Sequence, residues 1–215
     1  MRFVNKISYS CAGRLAAAMN ENHQKRSVYY FSFQIIFGTI VKNIILLALA
    51  WLLGVLLPAI VVAVVFASIR ILAGGYHMDT YGKCLFVSMA MFMLAALTAQ
   101  YTYQYWNTLS LAVLIAITLV YGLYTLIRYA PKDTPHKPIT DPREIKKLKT
   151  LSIAWLAMLV IASSLLTFFG LNRFVLSVCF GSILELFAVT PLGNNFFDWV
   201  KGGITIKKRK KSLVS

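Results

Sequence analysis

Four long apolar stretches, separated by short polar segments, dominate the pattern of this chain. Each holds enough consecutive hydrophobic residues for one helix across a bilayer core of about 30 Å. They are Leu85–Tyr101, Leu109–Ile127, Leu151–Gly170 and Phe174–Leu192. The pattern therefore predicts an all-α protein of the polytopic membrane class.

A fifth apolar region, Val28–Ile69, is too long for one span. Lys42 and Asn43 interrupt it, and Gly54 and Pro58 favour a turn further on. A lysine near mid-bilayer costs about 3 kcal/mol on insertion scales. Either the first span begins late, near Asn43, or Lys42 faces the interior of the helical bundle. A late start leaves two short, tilted or re-entrant spans, and a four-span arrangement stays open at this point.

The distribution of positive charge favours six spans. Lysine and arginine concentrate in three segments: five lie in residues 2–26, seven in residues 128–149 and six in residues 201–211. Cytoplasmic segments of membrane proteins carry such an excess. The link Thr102–Asn107 carries neither residue and is expected to lie outside. An even number of crossings must then occur within Val28–Ile69. Two crossings, with an outer turn near Gly54–Pro58, give six spans with both termini cytoplasmic.

Composition agrees with this membrane assignment. Hydrophobic residues make up 59% of the 215 residues and charged residues only 13%, and a soluble domain of this length cannot bury that much apolar surface. The net charge of +15 comes from residues that flank apolar runs, so nucleic-acid binding is not expected. Three widely spaced cysteines form no CxxC motif or Cys/His cluster, so neither a metal nor another cofactor is expected.

Three regions follow from these patterns. Residues 1–27 form a cytoplasmic or interfacial helix with a weak apolar face, residues 28–200 form the membrane domain, and residues 201–215 form a basic tail that suits anionic lipid headgroups. The apolar face of the first region is made of Val4, Ile7, Cys11, Leu15 and Ala18.

Candidate chemistry lies in residues 70–84, between the second and third predicted spans. His77 and Cys84 are seven residues apart, which is about 10.5 Å along a continuous helix. An imidazole that takes a thiol proton must come within roughly 2.6–3.2 Å of it. The glycines of the segment, above all Gly74 and Gly75, predict a break in the helix. With such a break, His77 can fold back over Cys84.

Cys84 is suited to be a nucleophile because it is expected in the first turn of the third span. A helix N-terminus favours a thiolate, and Lys83 adds a positive charge. His77 is the candidate general base, and backbone amides around Gly82–Cys84 are candidate donors to an oxyanion. Asp79 either orients His77 or caps the helix that follows. The alternative to catalysis is that one Cys and one His occur in this loop by chance and that Arg70 only anchors the end of the second span.

Glu185 is the only acidic residue inside an apolar run. Intramembrane acids are functional candidates by default, and a substrate contact, a proton site and an interhelix pair all stay open. A small transporter would use such a residue, and a non-catalytic membrane partner protein would need neither Glu185 nor Cys84. These two functions are the alternatives to catalysis by Cys84.

The loop motif resembles that of the accessory gene regulator B (AgrB) family, membrane peptidases of Gram-positive quorum sensing. The family pattern is an Arg, a short gap, Gly-Gly-Tyr-His, six residues and a Cys. The chain matches it with Arg70, Gly74-Gly75-Tyr76-His77 and Cys84. Its length, basic N-terminus, six apolar segments and the proline-rich stretch from Ala130 to Ile139 are also similar.

The resemblance implies a cysteine endopeptidase that faces the cytoplasm of a bacterial cell membrane. Its substrate is an AgrD-like propeptide with an amphipathic leader, a short core and an acidic tail. Cys84 attacks the bond between core and tail, and the core then closes into a thiolactone or lactone ring. The resemblance also implies a homodimer and no metal. The basic loop of residues 128–149 is the expected docking patch for the acidic tail, with Arg128, Lys132 and Lys137 as candidate substrate-binding residues.

Overall fold

Eight α-helices make up nearly all of the part of the chain that the computed structural model describes, which is residues 2–19, 21, 23–76, 81–132 and 141–212. A single 3₁₀ turn, Tyr103–Tyr105, joins the fourth and fifth helices. In chain order the helices are α1 Arg2–Ala18, α2 His23–Leu52, α3 Leu56–Ala73, α4 Tyr81–Thr102, α5 Thr108–Tyr129, α6 Pro142–Phe168, α7 Asn172–Val189 and α8 Pro191–Ser212. The all-α prediction is confirmed.

Six of the described helices, α2 to α7, are long and apolar enough to cross a membrane. Their candidate spans are Lys25–Leu52, Leu56–Ala73, Gly82–Tyr105, Thr108–Tyr129, Pro142–Phe168 and Asn172–Val189. The predicted count of six is therefore confirmed. The cytoplasmic position of both termini stays a prediction.

The long region Val28–Ile69 folds as two helices that turn at Gly54. Gly54 has a φ of +68°, a conformation that glycine adopts without steric cost. Lys42 lies inside the continuous helix α2, half-buried, with its Nζ atom 5.3 Å from the ring centroid of Phe92. It therefore faces the interior of the bundle. The continuous helix α2 and the six candidate spans favour this position of Lys42 over a late first span and over four spans.

Helix α7 is the centre of the bundle and packs against α3, α4, α5 and α6. Close approach is possible because its contact with α3 is made by a glycine. A Cβ atom on Gly181 would lie 2.9 Å from the backbone oxygen of Val62. Small residues at such contacts are typical of membrane helix packing, where lipid removes the hydrophobic advantage of large side chains.

Helix α1 runs back along the first half of α2. Its buried residues are Ser8, Ala12 and Ala16, a spacing of four that presents one small-residue face. The side chain of Gln34 donates a hydrogen bond to Asn5 across the pair at 2.9 Å. The predicted helix in residues 1–27 is present, while Ile7 and Leu15 of the predicted apolar face are only half-buried. The division into three regions stays a prediction.

Helix α8 was not expected, because the last predicted span was carried on to Leu192 although Pro191 stops a helix. Thr190 ends α7, and its Oγ1 atom accepts a hydrogen bond of 3.1 Å from the backbone amide of Gly193. This local cap starts the new helix. Phe187 of α7 and Phe197 of α8 pack edge to face, with ring centroids 6.1 Å apart, which holds the first turns of α8 against the bundle.

Candidate active site

Arg70, near the end of α3, and Glu185, one turn before the end of α7, form an ion pair between two spans. The Nη1 atom of Arg70 lies 3.2 Å and 3.4 Å from the two carboxylate oxygens of Glu185, and the Glu185 side chain is completely buried. Of the three roles open for Glu185, the structure therefore shows the interhelix pair. Arg70 uses its other terminal nitrogen to donate a hydrogen bond to the backbone carbonyl of Tyr76.

The segment Gly74–Tyr76 leaves α3 in an extended form beside Lys132. Gly74 forms a parallel bridge with Lys132, whose backbone amide donates to the carbonyl of Ala73 at 2.9 Å. Gly74 has a φ of +74°, and a Cβ atom there would lie 2.3 Å from the Lys132 carbonyl oxygen. Only glycine fits this position. The predicted break between Arg70 and Cys84 is confirmed, since α3 ends at Ala73 and α4 begins at Tyr81.

Tyr76 is held by α7 and α8 in addition to Arg70. Its backbone amide donates to the carbonyl of Ala188 at 3.3 Å. Its ring stacks on Phe197, with centroids 5.3 Å apart and planes inclined by 20°, and its hydroxyl donates to the carboxylate of Asp198. The residue directly before His77 is therefore fixed at both its backbone and its side chain.

Cys84 lies at the end of the first turn of α4, as the sequence predicts, and is half-buried. Its carbonyl accepts a hydrogen bond of 2.6 Å from Ser88. His77 and Asp79 lie outside the described residues, so their predicted roles as base and as orienting or capping group stay predictions. Lys83, next to Cys84, is half-buried.

A cavity of about 290 Å³ brings these elements together. Cys84 and Ser88 of α4 line one side of it, Arg70 and Tyr76 another, and Lys42 of α2 closes it. Most of the remaining wall is apolar and includes Phe66, Met91, Phe92 and Phe197. A largely apolar pocket with a few convergent polar groups and a thiol is the usual form of a site for a peptide or small molecule.

The three basic candidates, Arg128 in the last turn of α5 and Lys132 and Lys137 beyond it, differ in environment. Arg128 is exposed in the last turn of that helix. Lys132 is half-buried, and its Nζ atom donates to the side chain of Asn194 at 2.5 Å and to the carbonyl of Val189 at 3.5 Å. Burial lowers the pKa of Lys132, and the nearby carboxylate of Asp198 opposes that shift. Lys137 lies outside the described residues.

Sequence reasoning missed two residues of this site. Asp198 lies on α8, in a stretch where no helix was expected, and no spacing links it to Tyr76. Lys42 was considered as an interruption of an apolar region or as an inward-facing residue, but not as part of a site. The free-energy cost of a lysine in lipid could have indicated a role for it, because charged residues within spans face the protein interior and often mark functional sites.

The close packing around Gly75 can be tested by an alanine substitution there and a matched one at Gly82, which lies in the same segment. A Cβ atom on Gly75 would lie 2.7 Å from Glu185 Oε1 and 3.0 Å from Arg70 Nη1, whereas one on Gly82 would meet nothing within 4 Å. We expect Gly75→Ala to lower the free energy of unfolding by about 1–3 kcal/mol through overpacking. Gly82→Ala, inside α4, should leave it unchanged or raise it by up to about 1 kcal/mol. Thermal unfolding in detergent measures both, and equal midpoints would contradict this close packing around Gly75.

Comparisons with known proteins agree with the loop motif. The family model described as Accessory gene regulator B matches residues 8–189. The accessory gene regulator protein B of Staphylococcus intermedius is 28% identical over 180 residues, covering 83% of this chain and 89% of the relative. The protein FsrB of Enterococcus faecalis is 24% identical over 186 residues, covering 86% of this chain and 71% of the relative.

A third relative, an AgrB-like protein 2 of Clostridium perfringens, is 20% identical over 199 residues, covering 89% of this chain and 93% of the relative. No solved structure matches the chain.

Proposed function

This chain belongs to the accessory gene regulator B family, and from that premise we propose that it is a membrane-embedded cysteine endopeptidase that removes the C-terminal tail of a quorum-sensing propeptide. Membership supports a role in this signalling system, and six candidate spans make the chain a multi-pass membrane protein. The proposal goes further and assigns the nucleophile, the base and the reaction.

The observation that carries the proposal is the shared pocket of Cys84 and Tyr76. Tyr76 is fixed by Arg70, Ala188 and Asp198, and His77 follows it by one peptide bond. The base proposed here is therefore bonded directly to a fixed residue that lines the pocket of the thiol. Preorganisation of this kind is what proton transfer to and from a nucleophile requires.

The reaction proceeds by acyl transfer. His77 takes the proton of the Cys84 thiol, and the thiolate attacks the carbonyl carbon between core and tail. The tetrahedral intermediate collapses as the C–N bond breaks, and His77 returns the proton to the leaving amine. The core stays attached through a thioester. A thiol or hydroxyl of the core then attacks this thioester, closes the ring and releases Cys84.

Two features favour the peptidase over the alternatives. Lys42, Arg70 and Glu185, all charged and all within spans, converge on the pocket of Cys84 or on its wall, whereas a transporter would distribute such groups along a path. A non-catalytic partner protein has no need for a half-buried thiol in a pocket at a helix start.

The remaining partners are also proposals. The acidic tail of the propeptide docks on exposed basic residues of the segment 128–149, among which the structure describes Arg128 in the last turn of α5 and Arg143, Lys146 and Lys147 in α6. The amphipathic leader of the substrate and the basic residues 201–215 both bind the membrane surface, the latter through anionic headgroups. The working form is a homodimer in the bacterial cell membrane.

Trapping of the acyl-enzyme tests the proposal. Protein in liposomes is mixed with a synthetic propeptide, quenched in acid after short times, digested and analysed by mass spectrometry. We expect the core, without its tail, as a thioester on the peptide that contains Cys84, and slow formation of this adduct in the His77→Ala protein. An adduct on Cys11 instead would show that the nucleophile is misassigned.

The proposed orientation of the protein in the membrane gives a separate prediction. In a protein whose only cysteine is Cys84, an impermeant maleimide added outside intact cells should not react, while the same reagent should label inside-out vesicles. The matched control adds Tyr105→Cys to a cysteine-free protein. Tyr105 is 79% exposed in the predicted outer link, and this control should be labelled from outside. Labelling of Cys84 from outside would invert the proposed topology.

A further inference from the structure

Lys42 is a charged side chain in the candidate pocket that the proposed reaction does not use. It projects from α2 into the cavity of about 290 Å³ that Cys84 also lines. It is half-buried, and its Nζ atom lies 5.3 Å from the ring centroid of Phe92. Cys84, Arg70 and Glu185 all lie close enough to Lys42 to interact with its charge. A lysine inside a span is costly, so its place beside a thiol calls for a function.

The charged side chains that the structure describes around the cavity do not balance one another. Arg70 is neutralised by Glu185, whose carboxylate it contacts at 3.2 Å. Among the residues that the structure describes, Lys42 has no such ion pair. Among the described residues, the cavity therefore has an excess of one positive charge in mostly apolar surroundings. A carboxylate that entered would gain more there than in water, because the local dielectric is low.

We propose that this cavity is a subsite for an acidic side chain of the substrate and that Lys42 is the residue that binds its carboxylate. The inference rests on the proposed peptidase function and adds a determinant of specificity to it. A sphere of the cavity's volume is about 8 Å across, and an extended peptide advances about 3.3 Å per residue. The acidic residue must then lie within about two residues of the bond that Cys84 attacks.

The polar and apolar parts of the cavity have distinct tasks in this subsite. Phe92 packs against the Lys42 ammonium and holds it in place by a cation–π contact. Arg70 and Tyr76, bound to each other and to the bundle, form a rigid wall. An amide side chain of the same shape would fill the space equally well but would leave the Lys42 charge without a partner. The subsite therefore distinguishes acidic from amide side chains by their charge rather than by their size.

The test compares acid with amide at matched positions. Propeptides carry Asp or Asn at each of the four positions that flank the cleaved bond, two on either side, and kcat/KM is measured from tail release in liposomes. We expect wild-type protein to prefer Asp by about tenfold or more at one position, the value of one charge-assisted hydrogen bond. The variant Lys42→Met keeps an unbranched chain against Phe92 and should reduce this preference to about onefold. The control Lys6→Met removes an exposed charge on α1 and should keep the preference.

Three outcomes would overturn the inference. The first is a wild-type protein without preference at any of the four positions. The second is a preference that survives in Lys42→Met. The third is an equal loss on Asp and Asn substrates, accompanied by slower alkylation of Cys84 with iodoacetamide, which would make Lys42 a group that assists the thiolate instead. These outcomes are separate from failure of the proposed function, which tail release by a Cys84→Ala protein would reveal.

Discussion

Cys84→Ala protein is expected to release no tail peptide from the propeptide, a loss of more than about 10³-fold in rate. Removal of a nucleophile is among the most damaging changes in an acyl-transfer enzyme, because the covalent intermediate no longer forms. The folded state should tolerate the change. The Cys84 side chain is only half-buried and lines a cavity, so its loss removes few packing contacts. Tail release by mass spectrometry and thermal unfolding together measure both effects.

The chain supplies two matched controls for this substitution. Cys11 is half-buried on α1, and Cys179 is buried in the core beside Leu176. Cys11→Ala and Cys179→Ala should both cleave the propeptide at the wild-type rate, although Cys179→Ala lowers stability by about 1 kcal/mol through lost packing. Cleavage by Cys84→Ala at the rate of the two controls would remove this residue from the mechanism.

The six-span fold could be predicted because the length of the apolar stretches and the distribution of positive charge are enough to count the helices that cross a bilayer. Apolar stretches of the right length defined four spans, and the excess of lysine and arginine in three segments required an even number in Val28–Ile69. The position of Lys42 could not be settled in this way. Whether a lysine starts a span or faces inward depends on which helix lies opposite, and Phe92 of α4 is 50 residues away.

The candidate site was predictable only where its residues are close in sequence. The motif from Arg70 to Cys84 located the helix break and the thiol at the start of α4. Glu185, by contrast, lies 115 residues beyond Arg70, and no periodicity within one span indicates its partner on another. Asp198 is further removed still, because it depends on α8, whose start is set by a local cap at Thr190.

Arg70 connects the stability of the fold to the geometry of the site. Its side chain links α3 to α7 through Glu185 and at the same time binds the carbonyl of Tyr76. A substitution of such a residue usually changes both the stability of the protein and its catalytic rate. The two can be separated here because an apolar pair can replace the ion pair with Glu185, whereas the hydrogen bond to Tyr76 is lost with the guanidinium group.

Glu185→Gln and Arg70→Met are each expected to destabilise the protein by about 3 kcal/mol, because each leaves one member of a buried ion pair without its partner. The double variant Arg70→Met with Glu185→Leu should recover most of this loss, since apolar pairs of similar volume replace buried ion pairs well. A suitable control is Glu21→Gln. Its partner Lys25 is exposed, so this change should cost at most about 1 kcal/mol.

Recovered stability should not bring recovered activity. In the double variant the Tyr76 carbonyl has lost the Arg70 donor, so the segment that leads to His77 is held less firmly, and we expect cleavage at least about tenfold slower than wild type. Unfolding midpoints and cleavage rates of all four proteins, measured in the same detergent or liposome preparation, make the comparison. A double variant with wild-type rates would mean that Arg70 serves the fold alone. A stable double variant with slow cleavage would mean that the guanidinium group positions the catalytic segment.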